Sequence, residues 1–182
     1  MSLPNYITLI RILLVPFFFT ALVSYKPGAE HQHWVALGIF ILASLTDALD
    51  GFIARLSKRR TALGRFLDPL ADKLLLLSGY LGLLFVRGLA YEPPLWITVS
   101  IVFRDLVIII GLVVIFLING TVRVEPNLLG KITTACQMIT LVLILLEWPP
   151  VVIYFCYLTA FFTILSCLVY CVRELRRLAV LT

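Results

Sequence analysis

Four aspartates, Asp47, Asp50, Asp68 and Asp72, stand in stretches that are otherwise apolar. An aspartate at the centre of a membrane helix costs about 2.5–3.5 kcal/mol on insertion scales, so four of them are poor packing residues and call for water, cations or both. Asp47 and Asp50 are three apart and Asp68 and Asp72 four apart. On a helix each pair shares one face, and a helical hairpin can set the two pairs opposite each other. Carboxylates that close repel and raise one another's pKa, whereas a hard divalent cation holds them ionised through oxygen ligands. Mg2+ or Mn2+ fits such a donor set. Zinc fits less well, because the cluster has no His or Cys, and His31 and His33 fall in a loop expected on the far side.

Between the two pairs lie Gly51, Ala54, Arg55 and Gly64. Small residues let a ligand or backbone come close, and a guanidinium can fork onto a phosphate. Alone, Gly51 and Gly64 would read as packing or cap glycines and Arg55 as a snorkelling arginine. With four aspartates around them they read as a phosphate-and-metal site.

The elements that must position this site follow from composition. Of 182 residues 62% are hydrophobic and 14% charged, against roughly 45–50% apolar in ordinary soluble domains. A hydrocarbon core needs roughly 20 apolar residues per helical crossing, and the chain divides into six such segments, near 4–25, 34–56, 65–86, 94–118, 128–147 and 150–172. The breaks carry turn chemistry: Lys26-Pro27-Gly28, Ser57 to Gly64, Glu92-Pro93-Pro94, Asn119 to Asn127, and Trp148-Pro149-Pro150. The expectation is an all-α, polytopic membrane protein, one domain over residues 1–182, with six transmembrane helices around a polar cavity facing the cytoplasm.

Charge sets the orientation. Lys58, Arg59, Arg60 and Arg65 fall in the second break, Arg123 and Lys131 in the fourth, and Arg173, Arg176 and Arg177 at the C-terminus, against Lys26 and Arg87 on the other side. The positive-inside rule puts both termini in the cytoplasm, in a multi-pass protein of the cytoplasmic (inner) membrane. The net charge of +5 is mostly this signal. A nucleic-acid partner is a poor reading, since the basic run lies between two apolar spans; membrane lipids are the better one. Cys136, Cys156, Cys167 and Cys171 lack the short paired spacings of zinc or redox sites and read as small buried hydrophobes. The first segment holds Arg11 and no cleavage site, and reads as a retained crossing or a surface-lying helix leading into one. Arg173 to Arg177 reads as an interfacial anchor.

The stretch Asp47-x2-Asp50-Gly51-x2-Ala54-Arg55-x8-Gly64-x3-Asp68-x3-Asp72 resembles the complete signature of the CDP-alcohol phosphatidyltransferases. The resemblance implies a six-helix membrane fold, a homodimer and a dinuclear metal site. It implies that Asp47, Asp50 and Asp68 ligate metal and that Asp72 joins them and takes the acceptor's proton. Gly51, Arg55 and Gly64 would line the pocket for CDP-diacylglycerol. Pro4 to Arg11, with Asn5 assigned to the same substrate, is similar to the start of phosphatidylglycerophosphate synthases and of CDP-alcohol-type cardiolipin synthases. Pro69 to Lys73, Phe103-Arg104-Asp105 and Gly130 to Thr134 resemble that branch too.

The acceptor is then a small phosphorylated alcohol, glycerol 3-phosphate, whose charge in a low-dielectric cavity calls for fixed cations. Arg104 and Lys131 are the candidates. The other acceptor the branch admits is phosphatidylglycerol, giving cardiolipin, and Arg104-Asp105, where the synthases of phosphatidylglycerophosphate more often carry Arg-Glu, leans that way. A metal ion transporter would also gather intramembrane carboxylates, but these lie toward the cytoplasmic end of one hairpin and paired broken helices are missing.

Overall fold

A computed structural model describes the backbone of residues 3–25, 32–57, 62–119 and 128–181. The side chains of 3–7, 32, 47–57, 62–66, 68, 69, 112, 115, 116, 118, 119 and 171–181 lie outside the described residues. Within those limits the chain is all-helical: α1 (Leu3–Val23), α2 (Gln32–Ser57), α3 (Ala62–Leu83), α4 (Leu95–Asn119), α5 (Leu128–Leu145) and α6 (Pro149–Leu181). These are the six segments that hydropathy divides, with shifted ends. Two of them, Leu128–Leu145 and Pro149–Tyr170, are long and apolar enough among the described residues to cross a membrane.

Three boundaries differ from expectation, each for a local reason. α3 stops at Leu83, before the expected 86, and the chain turns through Leu84 and Phe85 to Gly88, whose φ of 82° suits a residue without Cβ. Val86 and Leu89 in that loop are buried, so the apolar run outlasts the helix. α6 runs to Leu181, beyond the expected 172, because Arg, Glu and Leu prolong a helix as well as apolar residues do. His33 belongs to the first turn of α2, not to a loop, with its ring 5.0 Å from Trp34 and 6.4 Å from Tyr25; His31 lies outside the described residues.

α1 packs against both α2 and α3, α5 against α6, and α4 against α3 and α6, with α5 also touching α2 and α3. Close approach is built in at Gly79 of α3, where a Cβ would stand 2.5 Å from Leu141 Cδ2 and 3.2 Å from Phe18 Cε1. The apolar core occupies one half of the bundle: Phe18 and Leu22, Leu37 and Phe40, Leu75, Leu76 and Tyr80, Ile97 and Ile101, Leu141, Ile144 and Leu145, and Val152, Cys156 and Ala160. α5 and α6 are also joined by hydroxyls, as Thr133 Oγ1 donates to Phe162 O at 3.1 Å and Thr140 Oγ1 meets Thr159 Oγ1 at 2.8 Å. Such bonds are the glue available where lipid removes the hydrophobic drive between helices. At the apolar end the Tyr25 hydroxyl donates to Glu147 Oε1 at 2.9 Å, and that bond keeps the phenol's pKa above its ordinary value. Cys156 is buried and Cys136 and Cys167 partly so, and Cys171 lies outside the described side chains.

Candidate active site

The other half of the bundle, toward the junction of α2 and α3, is where the charged side chains collect. The backbone puts Asp47 and Asp50 in α2 and Asp68 and Asp72 in α3, either side of residues 58–61. At 1.5 Å per residue, Asp47 and Asp72 each lie about 15 Å along their helix from that junction, and Asp50 and Asp68 about 10 Å. The two pairs are thus at matched levels, and a donor set made only of carboxylates suits hard divalent ions. The side chains of Asp47, Asp50 and Asp68, with those of Asn5, Gly51, Arg55 and Gly64, lie outside the described ones, so the structure speaks to their helices and not to their contacts.

Asp72 is described. Its Oδ1 accepts from Arg11 Nη1 at 2.7 Å, with the Arg11 side chain 1% exposed and the Asp72 side chain 37%. A deeply buried guanidinium of α1 therefore fixes a carboxylate of α3 that still meets the outside of the bundle. In sequence, Arg11 is only a charge inside an apolar segment. The cost of that charge, which a partner must relieve, is the signal for a role.

One residue on, Lys73 turns toward α4 and α5. Its Nζ donates to Asp105 Oδ1 at 2.9 Å and to Thr134 Oγ1 at 3.2 Å. The same Asp105 Oδ1 accepts from Arg104 Nη1 at 2.6 Å, and Arg104 Nη2 donates to Ser166 Oγ of α6 at 3.0 Å. Asp105 is 0% exposed and Arg104 3%. Asp105 thus ties α4 to another helix, α3, through Lys73.

The two cations expected at the acceptor come into one neighbourhood but differ in setting. Arg104 is enclosed by its own partners, and a Cβ on Gly130 would lie 3.8 Å from its Nη2. Lys131, the next residue after Gly130 in the first turns of α5, is exposed. Lys73 stands out in sequence only within the stretch that resembles the synthase branch. Its part in this cluster depends on α3, α4 and α5 converging, which no local pattern encodes.

A groove of about 340 Å3 lies between α2 and α5, lined among others by Phe40, Leu45, Met138 and Val142. Its α2 wall ends at Leu45, two residues before Asp47. The Ser44 hydroxyl in this wall is buried and has no hydrogen-bond partner among the described residues.

The family model of CDP-alcohol phosphatidyltransferase matches residues 1–170. A Bacillus subtilis protein named CDP-diacylglycerol--glycerol-3-phosphate 3-phosphatidyltransferase is 39% identical over 158 residues, covering 82% of this chain and 79% of its own. One of the same name from Sodalis glossinidius is 33% identical, over 82% and 79%. The human cardiolipin synthase (CMP-forming) is 33% identical over 76% of this chain and 48% of its own length. A chain matched by the family model over 170 of its 182 residues, with the signature aspartates divided between two consecutive helices, belongs to the CDP-alcohol phosphatidyltransferase family.

Proposed function

We propose that this protein transfers the phosphatidyl group of CDP-diacylglycerol to glycerol 3-phosphate, giving phosphatidylglycerophosphate and CMP. The observation that carries the reading is Asp72, fixed by Arg11 yet more than a third exposed and next in sequence to the Lys73–Asp105–Arg104 cluster. Its carboxylate takes the proton of the acceptor hydroxyl. The oxygen so freed attacks the phosphorus nearer the diacylglycerol, a new P–O ester forms, and the anhydride bond to CMP breaks. Asp47, Asp50, Asp68 and Asp72 are the residues that would hold two Mg2+ or Mn2+ ions, which when bound neutralise the pyrophosphate and the departing CMP.

The relatives from Bacillus subtilis and Sodalis glossinidius, named for glycerol 3-phosphate, support that acceptor. Each covers the chain more fully than the human cardiolipin synthase does. The relatives are named as transferases and synthases, which leaves the transporter reading without support. The proposal extends to a single six-span domain with both termini in the cytoplasm, acting as a homodimer as the family resemblance implies. It also places an acyl chain of CDP-diacylglycerol in the α2–α5 groove, whose wall runs into the Asp47 turn, so that the lipid stays in its leaflet while the nucleotide reaches the carboxylates.

The test is a product assay on detergent-purified protein supplied with CDP-diacylglycerol, Mg2+ or Mn2+, and either glycerol 3-phosphate or phosphatidylglycerol. Phosphatidylglycerophosphate with release of CMP is the expected outcome. Cardiolipin from the second acceptor alone would reassign the chain to the other activity of its branch.

A further inference from the structure

Lys73 sits in an unbalanced cluster of charge, and what that imbalance is for depends on the proposed function. Arg11 and Asp72 cancel, whereas Arg104, Lys73 and Asp105 sum to one positive charge in a setting where Asp105 is 0% exposed, Arg104 3% and the Lys73 side chain 13%. A charge so placed is costly unless it is paired. The ammonium has three N–H donors. Two are spent on Asp105 Oδ1 and Thr134 Oγ1, and the third has no partner among the described residues. Arg104, by contrast, has both terminal nitrogens engaged by Asp105 and Ser166. Arg104 Nε also has no partner among the described residues, but its side chain is only 3% exposed against 13% for Lys73, so of these two cations Lys73 is the one placed to give a donor to a substrate.

We infer that Lys73 grips a non-bridging phosphate oxygen of a substrate beside Asp72, and that Arg104 is a positioning residue acting on it through the shared Oδ1 of Asp105. The neighbouring placement suits the chemistry. An alcohol held by its phosphate at Lys73 presents its hydroxyl to the carboxylate one residue away. The same contact could serve the pyrophosphate of the donor, and the two sources are separable by kinetics.

The experiment measures KM for glycerol 3-phosphate and for CDP-diacylglycerol separately, with kcat, in wild type, Lys73→Gln, Lys73→Arg, Asp105→Asn and Arg104→Gln, as purified full chains. Loss of a charge-assisted bond predicts that Lys73→Gln raises KM for one substrate about tenfold or more while the other stays within about twofold. A rise for glycerol 3-phosphate places the contact on the acceptor; a rise for CDP-diacylglycerol places it on the pyrophosphate. Lys73→Arg should recover part of the loss, and Asp105→Asn and Arg104→Gln should raise the same KM. Unchanged KM values for both substrates, or equal rises for both, would overturn the inference. Should Lys73→Gln not fold, the arginine and Asp105→Asn variants decide the same question, since a role in packing alone would not select one substrate. If the wild type turns over phosphatidylglycerol and not glycerol 3-phosphate, the proposed acceptor fails while the comparison at Lys73 proceeds unchanged on that phosphodiester.

Discussion

At the scale of the residue, the proposed chemistry turns on a carboxylate that is held but not buried. Arg11 Nη1 reaches Asp72 Oδ1 at 2.7 Å from a side chain that is itself 1% exposed, so the orientation of Asp72 is set from within the bundle. Replacement by Asn keeps the shape and an acceptor oxygen for Arg11 while removing the basic oxygen. Asp72→Asn should therefore leave a folded, monodisperse protein whose kcat falls by about 100- to 10,000-fold, the span typical of a lost general base. Substantial turnover in the purified variant would remove Asp72 from that role. The aspartates are legible in sequence because a membrane span makes any unpaired carboxylate conspicuous, and their spacing gives the pairing on each helix. Arg11 and Lys73 are less legible. Each is a lone cation until the fold brings Asp72 or Asp105 to it, and a separation of 61 or 32 residues has no local signature.

At the scale of the element, the proposed reading has α2 serve both ends of the donor. One stretch of it, Phe40 to Leu45, walls the apolar groove, and the turn that follows bears Asp47 and Asp50. A bulky ring introduced across the groove from α5, as in Val142→Trp, would fill space that an acyl chain needs. The expected outcome is a KM for long-chain CDP-diacylglycerol raised by about threefold to tenfold, the order of one to a few lost methylene contacts at about 0.8 kcal/mol each. KM for glycerol 3-phosphate and the turnover of a short-chain donor should stay near wild type. Equal effects on long- and short-chain donors would place the acyl chain elsewhere. Neither the groove nor the early end of α3 is readable in the sequence. Hydropathy reports what is apolar and not whether it is helical, so the buried Val86 and Leu89 extend the apparent span. Likewise, the space between α2 and α5 belongs to neither helix alone.

At the scale of the whole molecule, the separation of an apolar half from a charged half gives the bundle a direction. The core residues Phe18, Phe40, Leu76, Ile101, Leu141 and Cys156 lie toward one end, and Arg11, Asp72, Lys73, Arg104 and Asp105 toward the other, where α2 passes to α3. Lys131 at the start of α5 and the backbone of Arg173, beyond the apolar part of α6, fall at the charged end, and the basic run Lys58, Arg59 and Arg60 stands in sequence between α2 and α3. If all six helices cross, both termini share this end, and the positive-inside rule puts it in the cytoplasm, where a water-soluble acceptor is supplied. Single cysteines introduced at Ser2, at Arg60 and at Thr182, in a background with Cys136, Cys156, Cys167 and Cys171 replaced, should all be shielded from a membrane-impermeant thiol reagent in intact cells and labelled after the membrane is opened. A cysteine at Glu92, in the α3–α4 loop at the apolar end, should be labelled from outside. Labelling of Ser2 from outside with Arg60 shielded would mean that α2 crosses and α1 does not. Arg11 would then reach Asp72 from a helix that does not span, and the count of crossings would fall to five.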